Sequence, residues 1–259
     1  MSRLIKVILL TVGIFAFIGI LSFLRLILKP QKRTFIVSRA LRLFNKMTGL
    51  LLGLRVKVKG KRPRYLQGMF FVSNHLSYLD GISISSVFPL VFIGRRDLRT
   101  WPVFGLLSAL SDTVFVNRES PLNLPQEIER ISYLLSKGVN TILFPEGTST
   151  NGDSLLSFKS SFFEAPLKSN SRIIPLVIRY LKINKKPLNQ DNRDLVYWYG
   201  DMGFLSHLWK VLSLKSIEVE IQVLPEIVLS QEEVSHSSLR KHLARISREK
   251  ILDYLDKPR

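Results

Sequence analysis

The hydrophobic pattern begins with one long apolar run near the N-terminus. Residues 7–24 hold 18 positions without a charge, and Lys6 and Arg25 bracket them. This length is at the lower limit for a helix that spans a bilayer. A secretory signal peptide would need a small-x-small cleavage site after the run, but residues 23–28 read Phe-Leu-Arg-Leu-Ile-Leu. The pattern therefore favours a retained membrane anchor, which either spans the bilayer or embeds in one leaflet.

A second amphipathic segment follows at residues 34–54. Its apolar residues recur at near-helical spacing, with Arg39, Arg42 and Lys46 between them. A basic amphipathic helix of this kind can lie among lipid headgroups, or it can pack on the protein's own core. The pattern leaves both open. Pro30 separates the two segments, which predicts a helical hairpin.

From residue 54 onward, short apolar runs alternate with helical patterns. Residues 54–59 alternate apolar and basic side chains, which predicts a half-buried strand. Further strands are predicted at residues 69–72, 90–94, 113–116, 139–144, 173–178 and 217–224. Helices are predicted at residues 81–87, 101–110 and 126–136. A basic amphipathic tail helix is predicted to begin at a capping box, Ser230-Gln231-Glu232-Glu233, and to run to about Leu255.

This alternation predicts an α/β fold, a largely parallel sheet flanked by helices on both faces. The N-terminal pattern adds a membrane-anchoring helical segment. We expect two parts, residues 1–53 with the membrane helix and the amphipathic helix, and residues 54–259 with the sheet and the tail helix.

Composition narrows the classes of function. The 259 residues contain no cysteine, which excludes disulfides, thiolate metal sites and cysteine nucleophiles. The net charge of +18 indicates an anionic partner. The apolar N-terminus favours an anionic membrane surface over nucleic acid, for which no recognisable binding signature is present. We expect no metal and no bound cofactor.

One polar turn carries the candidate chemistry. Asn74, His75 and Asp80 follow directly on the buried run at residues 69–72. A histidine oriented by a carboxylate can act as a general base. Five residues apart on one helix, the two side chains would point about 140° apart. They can meet only if a turn or a helix start folds Asp80 back.

A second stretch, Phe144-Pro145-Glu146-Gly147-Thr148, supports a functional interpretation of the polar turn at residues 74–80. Together the blocks Asn-His-x4-Asp and Phe-Pro-Glu-Gly-Thr resemble the hallmarks of the glycerophospholipid acyltransferase family, in the family's order. The resemblance covers roughly residues 54–223. It implies a glycerol-3-phosphate acyltransferase-like fold and an enzyme that moves a fatty acyl chain from an acyl thioester to a lysophospholipid hydroxyl.

The resemblance also implies roles for single residues. His75 and Asp80 would be catalytic. The substrate-binding set would be Asn74, Arg118, Glu146, Gly147, Thr148 and Lys159. Within it, Arg118 and Lys159 are the candidates for the acceptor's phosphate, because cationic side chains offer charge-assisted donors. Glu146 and Gly147 are expected to hold the head group.

The acceptor that the resemblance implies first is 1-acyl-sn-glycerol-3-phosphate, which would give phosphatidic acid. One departure matters: many members that use this acceptor have arginine directly after Glu-Gly-Thr, whereas this chain has Ser149. Residues 198–209 resemble a bacterial branch that also includes lyso-ornithine lipid acyltransferases. A lyso-ornithine lipid or another lysolipid is therefore the alternative acceptor.

Two other classes of protein remain as alternatives, a non-catalytic membrane-binding scaffold and a lipid hydrolase. The His75–Asp80 pair argues against the scaffold. The absence of a G-x-S-x-G elbow argues against a serine hydrolase and favours direct transfer, with Ser73 and Ser77 as minor candidates for a nucleophile. Backbone amides after His75, or at Gly147, are the candidate oxyanion donors.

The expected partners are membrane lipids and a thioester co-substrate, either acyl-CoA or acyl carrier protein. Basic residues are denser after the apolar run than before it, where only Arg3 and Lys6 occur. The positive-inside rule therefore places the catalytic domain on the cytoplasmic side. The resemblance to a bacterial branch implies that the membrane is the bacterial inner membrane.

Overall fold

The computed structural model describes residues 2–63, 67–101, 103–117, 123–228 and 236–257. The helices are α1 (Arg3–Ile27), α2 (Pro30–Leu52), α3 (Tyr78–Val87), α4 (Phe104–Leu110), α5 (Leu124–Ser136), α6 (Glu164–Lys168), α7 (Phe204–Ser213) and α8 (His236–Leu255). The strands are β1 (Leu54–Lys59), β2 (Phe70–Ser73), β3 (Val91–Arg95), β4 (Val114–Val116), β5 (Thr141–Leu143), β6 (Ile173–Ile183), β7 (Lys186–Pro187) and β8 (Ile217–Val223).

The strands form one sheet in the order β1-β8-β6-β2-β5-β3-β4, with β7 paired to β6. The β1–β8, β2–β5, β2–β6, β3–β4 and β3–β5 pairs are parallel. β8 runs antiparallel to β6, as does β7. The predicted largely parallel α/β sheet is confirmed, and β2 lies near its centre.

Helices cover both faces of the sheet, because successive strand residues point to opposite sides. On β2, Phe71 belongs to the core that α2, α3 and α7 close, together with Leu52 and Leu79. Phe70 and Val72 belong to the core that α5, α6 and α8 close. The sheet therefore separates the N-terminal hairpin from the C-terminal helix α8.

The predicted hairpin is present, and its two helices stack through the rings of Phe17 and Phe44, whose centroids lie 4.2 Å apart. By length and composition, α1 is the one helix among the described residues that is long and apolar enough to cross a membrane. The inner face of α2 packs on α3, where Asn45 Nδ2 donates to Ser85 Oγ at 2.5 Å. Its outer face leaves Leu43 and Met47 exposed. Of the two alternatives for this segment, packing on the protein's own core is therefore observed on one face.

Several features differ from the prediction. β6 continues five residues past the predicted end, to Ile183, and α6, α7 and β7 were not predicted as elements. α8 begins at His236 in the described part of the chain, and the capping box predicted at Ser230 lies outside the described residues.

Candidate active site

We call residues 74–80 the catalytic turn, after the role predicted for His75 and Asp80, and the start of α3 builds it. Ser77 is extended and forms the N-cap of this helix, and the side chain of Asp80 returns to the backbone of Ser77 in a capping box. This brings Asp80 Oδ2 to 2.8 Å from the Nδ1 atom of His75. A helix start therefore folds Asp80 back onto His75, as the sequence required.

Asp80 is fully buried and accepts four hydrogen bonds. Besides His75, the backbone amides of Leu76 and Ser77 donate to its Oδ2 atom at 2.6 and 2.9 Å. The Tyr180 hydroxyl donates to its Oδ1 atom at 2.6 Å. Burial, and then the negative charge of Asp80, raises the pKa of Tyr180. These donors stabilise an ionised carboxylate in the core.

The motifs did not reveal Tyr180. It lies on β6, seven residues along the strand from Ile173, and it is fully buried. A buried tyrosine needs a hydrogen-bond partner for its hydroxyl. A tyrosine within an apolar strand was therefore the one sequence signal that could have indicated a buried polar partner.

The imidazole of His75 is fixed on one side and open on the other. Its ring stacks on Phe144 with centroids 4.1 Å apart, and its side chain is 21% exposed. Because Nδ1 donates to the carboxylate, Nε2 carries the lone pair. Among the described residues Nε2 has no hydrogen-bond partner, which leaves it available to a substrate hydroxyl.

Glu146 ties the two motif blocks together. The amide of His75 donates to its Oε1 atom at 2.8 Å and the amide of Leu156 donates to its Oε2 atom at 3.0 Å. Burial raises the pKa of Glu146, and the two amide hydrogen bonds oppose the shift. The residue is only 4% exposed. In this structure it positions the catalytic turn and the loop that holds Leu156, and its predicted contact with the head group stays a prediction.

Asn74 also has a structural contact. Its side-chain amide donates to the carbonyl of Ile178 at 3.0 Å and its carbonyl accepts from the amide of the same residue at 2.9 Å. The side chain is buried and fixes the turn to β6. A role in binding substrate is not needed to explain this asparagine.

The remaining predicted residues lie around the Glu146 turn. Gly147 has φ +85°, which favours glycine. Thr148 and Lys159 are exposed, and the amide of Lys159 donates to the carbonyl of Pro145 at 2.9 Å. Arg118 lies outside the described residues. Their predicted contacts with substrate stay predictions.

Three expectations about backbone donors and nucleophiles need correction. The amides of Leu76 and Ser77 are taken by Asp80, and the amide of Gly147 donates to the carbonyl of Phe144 at 3.1 Å. None of them is free to bind an oxyanion in this structure. Ser73 and Ser77 are fully buried, so neither hydroxyl is accessible as a nucleophile.

An aromatic cluster extends the site along α7. The Tyr78 hydroxyl lies 3.1 Å from the Nδ1 atom of His207, and Trp198 and Phe204 pack edge-on against the Tyr78 ring. Burial lowers the pKa of His207 and raises that of Tyr78. The amide of Trp198 donates to the carbonyl of Leu76 at 2.9 Å. The segment that suggested the bacterial branch therefore packs directly on the catalytic turn.

Comparison with known proteins agrees with this site. Residues 55–179, which include His75, Asp80 and Glu146, match the family model named Acyltransferase. A curated relative, the lyso-ornithine lipid O-acyltransferase of Rhizobium meliloti, is 35% identical over 185 residues. Residues 55–179 are therefore similar to the acyltransferase family. The sequence resemblance is confirmed. The enzyme class that it implies, an acyltransferase, is also the class of the two named proteins.

A second relative is the 1-acyl-sn-glycerol-3-phosphate acyltransferase of Neisseria gonorrhoeae, 27% identical over 170 residues. The two alignments cover 69% and 66% of this chain, and 63% and 64% of the relatives, so the matched region spans less than two thirds of their length. The crystal structure of the 1-acyl-sn-glycerophosphate acyltransferase from Thermotoga maritima superimposes with a TM-score of 0.62 at 21% identity, covering 100% of both chains. That likeness confirms the fold class.

Proposed function

We propose that this protein transfers a fatty acyl chain from an acyl thioester to the free hydroxyl of a membrane lysolipid. The supporting observation is the His75–Asp80 pair, with Nδ1 held at 2.8 Å from a fully buried carboxylate and Nε2 left open. This is the geometry of a general base. The match of residues 55–179 to the Acyltransferase family model and the activities named for the similar proteins support the same reaction.

The proposed reaction proceeds by direct transfer. The Nε2 atom of His75 takes the proton of the acceptor hydroxyl as its oxygen attacks the thioester carbonyl, and Asp80 stabilises the imidazolium. The tetrahedral intermediate collapses by breaking the carbon–sulfur bond, and the imidazolium returns the proton to the thiolate. The ester and the free thiol are the products, and the enzyme is regenerated.

Two acceptors fit the chain. For 1-acyl-sn-glycerol-3-phosphate, the exposed Lys159 beside the Glu146 turn supports a phosphate contact. For a lyso-ornithine lipid, Ser149 in place of the expected arginine, and the 35% identical Rhizobium relative, give the support. We propose 1-acyl-sn-glycerol-3-phosphate as the first acceptor and a lyso-ornithine lipid, or another lysolipid, as the alternative.

Membrane attachment follows from α1. The helix exposes large apolar side chains along its length, among them Leu4, Phe15 and Leu26. A covering of lipid removes this surface from water. The basic residues after α1 support a location on the cytoplasmic side of the bacterial inner membrane.

A lysolipid panel tests the proposal. The purified full chain is incubated with labelled acyl-CoA or acyl carrier protein and with each candidate lysolipid, and ester and free fatty acid are both quantified. Transfer to a lysolipid supports the proposal, and the preferred lysolipid identifies the acceptor. Hydrolysis alone would indicate a lipid hydrolase, and no turnover with any pair would indicate a scaffold.

His75→Ala is the first prediction. Loss of the base is expected to lower kcat by about 10²–10⁴-fold, because general-base catalysis contributes about that factor. The substitution leaves the contacts that the His75 backbone makes with Glu146 and Thr150. Thermal unfolding should therefore change little, and a folded variant with wild-type turnover would overturn the mechanism.

A further inference from the structure

A basic cleft lies between α8 and the loop that follows the Glu146 turn. It has a volume of about 250 Å³. Its lining residues are Ser157, Phe158, Ser160, Lys241, Ala244, Arg245 and Arg248. Two hydroxyls and three cations thus face one small space, and no carboxylate lines it among the described residues.

The loop side of this α8 cleft is held in place from two directions. Arg248 of α8 donates to the carbonyls of Leu155 and Leu156, at 2.5 and 2.9 Å. The amide of Leu156 in turn donates to Glu146, which accepts the amide of His75. Arg248, which lines the α8 cleft, is therefore linked to the catalytic turn through Leu156 and Glu146 by three hydrogen bonds.

Of the three basic side chains that line the α8 cleft, one forms an ion pair with a carboxylate among the described residues. Arg245 pairs with Glu249 at 2.8 Å, and both side chains are largely exposed. Lys241 is exposed and has no ion pair among the described residues. Arg248 is bound by neutral carbonyls alone. Three cations against one neighbouring carboxylate, with two serine hydroxyls, form a set of donors that suits a phosphate group.

The α8 cleft lies on the side of the sheet opposite the apolar hairpin. α8 packs on the core that Phe70 and Val72 line, whereas α2 packs on the core of Phe71. The exposed apolar side chains of α1 and α2 would face lipid. A ligand of the α8 cleft therefore approaches from the aqueous side, which disfavours the head group of a membrane-embedded lipid.

We propose that the α8 cleft binds the phosphate of the donor's phosphopantetheine arm. This proposal rests on the acyl-transfer function proposed above. Coenzyme A and acyl carrier protein both present the acyl thioester on this arm, and both arrive from water. The far end of the arm carries a diphosphate in coenzyme A and a phosphodiester in the carrier protein. The cleft orients the arm so that its thioester end extends along the 155–160 loop toward His75.

Neutralising the two cations of the cleft that do not hold the 155–160 loop tests the site. The double variant Lys241→Gln/Arg245→Gln keeps Arg248 and its contacts with the loop. The control Lys250→Gln/Lys257→Gln removes the same charge from the last turns of α8 and the residues just after it, outside the cleft. Binding of free coenzyme A is measured by calorimetry on the full-length protein in detergent, and KM is measured separately for acyl-CoA, acyl carrier protein and lysolipid.

The cleft variant should bind coenzyme A about tenfold more weakly, with a comparable rise in the donor KM and an unchanged lysolipid KM. The control should change neither. If KM rises for acyl-CoA alone, or for acyl carrier protein alone, the result identifies which donor uses the cleft. An unchanged donor KM together with a raised lysolipid KM, or with weaker binding to phosphatidylglycerol vesicles, would overturn the inference and assign the cleft to a lipid.

The two proposals can fail separately. Coenzyme A binding does not need turnover, so specific binding that the cleft variant loses would support the site even if no lysolipid is acylated. If transfer occurs and the cleft variant retains the wild-type donor KM and coenzyme A affinity, the acyl-transfer proposal stands and the donor site lies elsewhere.

Discussion

Asp80 shows how a single buried carboxylate serves both the fold and the proposed chemistry. Its Oδ2 atom caps α3 through backbone amides and also accepts from His75, while its Oδ1 atom accepts from Tyr180. A charge removed this completely from water would be costly without such donors. The same hydrogen bonds fix its position, so the imidazole has one orientation. Tyr180 thus acts on the reaction through Asp80.

Tyr180→Phe should lower kcat while leaving both KM values nearly unchanged. The substitution removes one charge-assisted donor at 2.6 Å from Asp80. Such a bond contributes about 1.5–3 kcal/mol, so a loss on the order of tenfold is expected. Steady-state kinetics with each substrate varied in turn, together with thermal unfolding, measure the effect.

Tyr199→Phe is the matched control, because its hydroxyl also donates to a carboxylate, Asp194 at 3.0 Å, but on the exposed surface. It should leave kcat unchanged. If the two variants lower kcat equally, or if Tyr180→Phe raises only KM, Tyr180 does not position Asp80 for catalysis.

At the level of elements, the sequence predicted most of the sheet because its strands are short apolar runs or, as in β1 and β8, alternate apolar and polar residues. It also predicted that His75 and Asp80 meet only if a turn or a helix start folds Asp80 back, since five-residue spacing within one helix keeps the two side chains apart. The structure shows the helix start. The sequence did not predict α7, whose apolar residues follow an irregular segment with glycines at 200 and 203. Nor can local pattern show Tyr180 against Asp80, a contact between residues 100 positions apart that only the strand order creates.

The hairpin is attached to the sheet domain by polar contacts as well as by packing. Asp112, at the turn between α4 and β4, is 3% exposed and has φ +58°. Arg25 of α1 pairs with it at 3.0 Å, Arg33 of α2 pairs with it at 3.2 Å, and the Thr34 hydroxyl donates to it at 2.8 Å. One carboxylate therefore holds both helices of the hairpin.

Asp112→Asn should loosen the hairpin. Asparagine tolerates positive φ, so the change removes the charge without straining the backbone. The two guanidinium groups retain some water, and we expect a loss of about 1–3 kcal/mol in the free energy of unfolding. Unfolding in detergent and the rate of proteolysis between α1 and α2 measure it.

Asp97→Asn is the control for this prediction, because Asp97 pairs with Arg95 at 3.0 Å and both side chains are 52% exposed. Such surface pairs contribute about 0–1 kcal/mol. Equal effects of the two substitutions would show that Asp112 does not hold the hairpin.

The whole molecule has two different surfaces, separated by the sheet. On one side α1, α2 and α7 expose large apolar side chains, among them Leu26, Leu50 and Leu205. On the other side α8 presents basic side chains and the α8 cleft. An enzyme that joins a membrane acceptor to a soluble donor needs both surfaces, and the catalytic turn lies at the carboxyl end of β2, between them. Whether α1 spans the bilayer or lies in one leaflet therefore decides how these two surfaces are placed relative to the membrane.

Both ends of α1 are attached to the same sheet domain. Lys6 Nζ donates to the carbonyl of Leu214 at 2.7 Å, and Arg25 pairs with Asp112. These two residues are about 28 Å apart along the helix, close to the thickness of a bilayer's hydrocarbon core. A spanning α1 would place Leu214 and Asp112 on opposite sides of the membrane, which one folded domain cannot do. We therefore predict that α1 lies in one leaflet.

Cysteine labelling tests this prediction directly, because the chain has no native cysteine. Ser2→Cys precedes α1, Lys32→Cys follows it, and Lys186→Cys marks the sheet domain. A membrane-impermeant maleimide should label all three variants in inverted vesicles and none in right-side-out vesicles, since both ends of α1 share the cytoplasmic side with the domain. Labelling of Ser2→Cys from the opposite side to the other two would show that α1 spans the bilayer and that its contact with Leu214 is absent in the membrane. Labelling of all three from the outside would keep α1 in one leaflet but reverse the proposed sidedness.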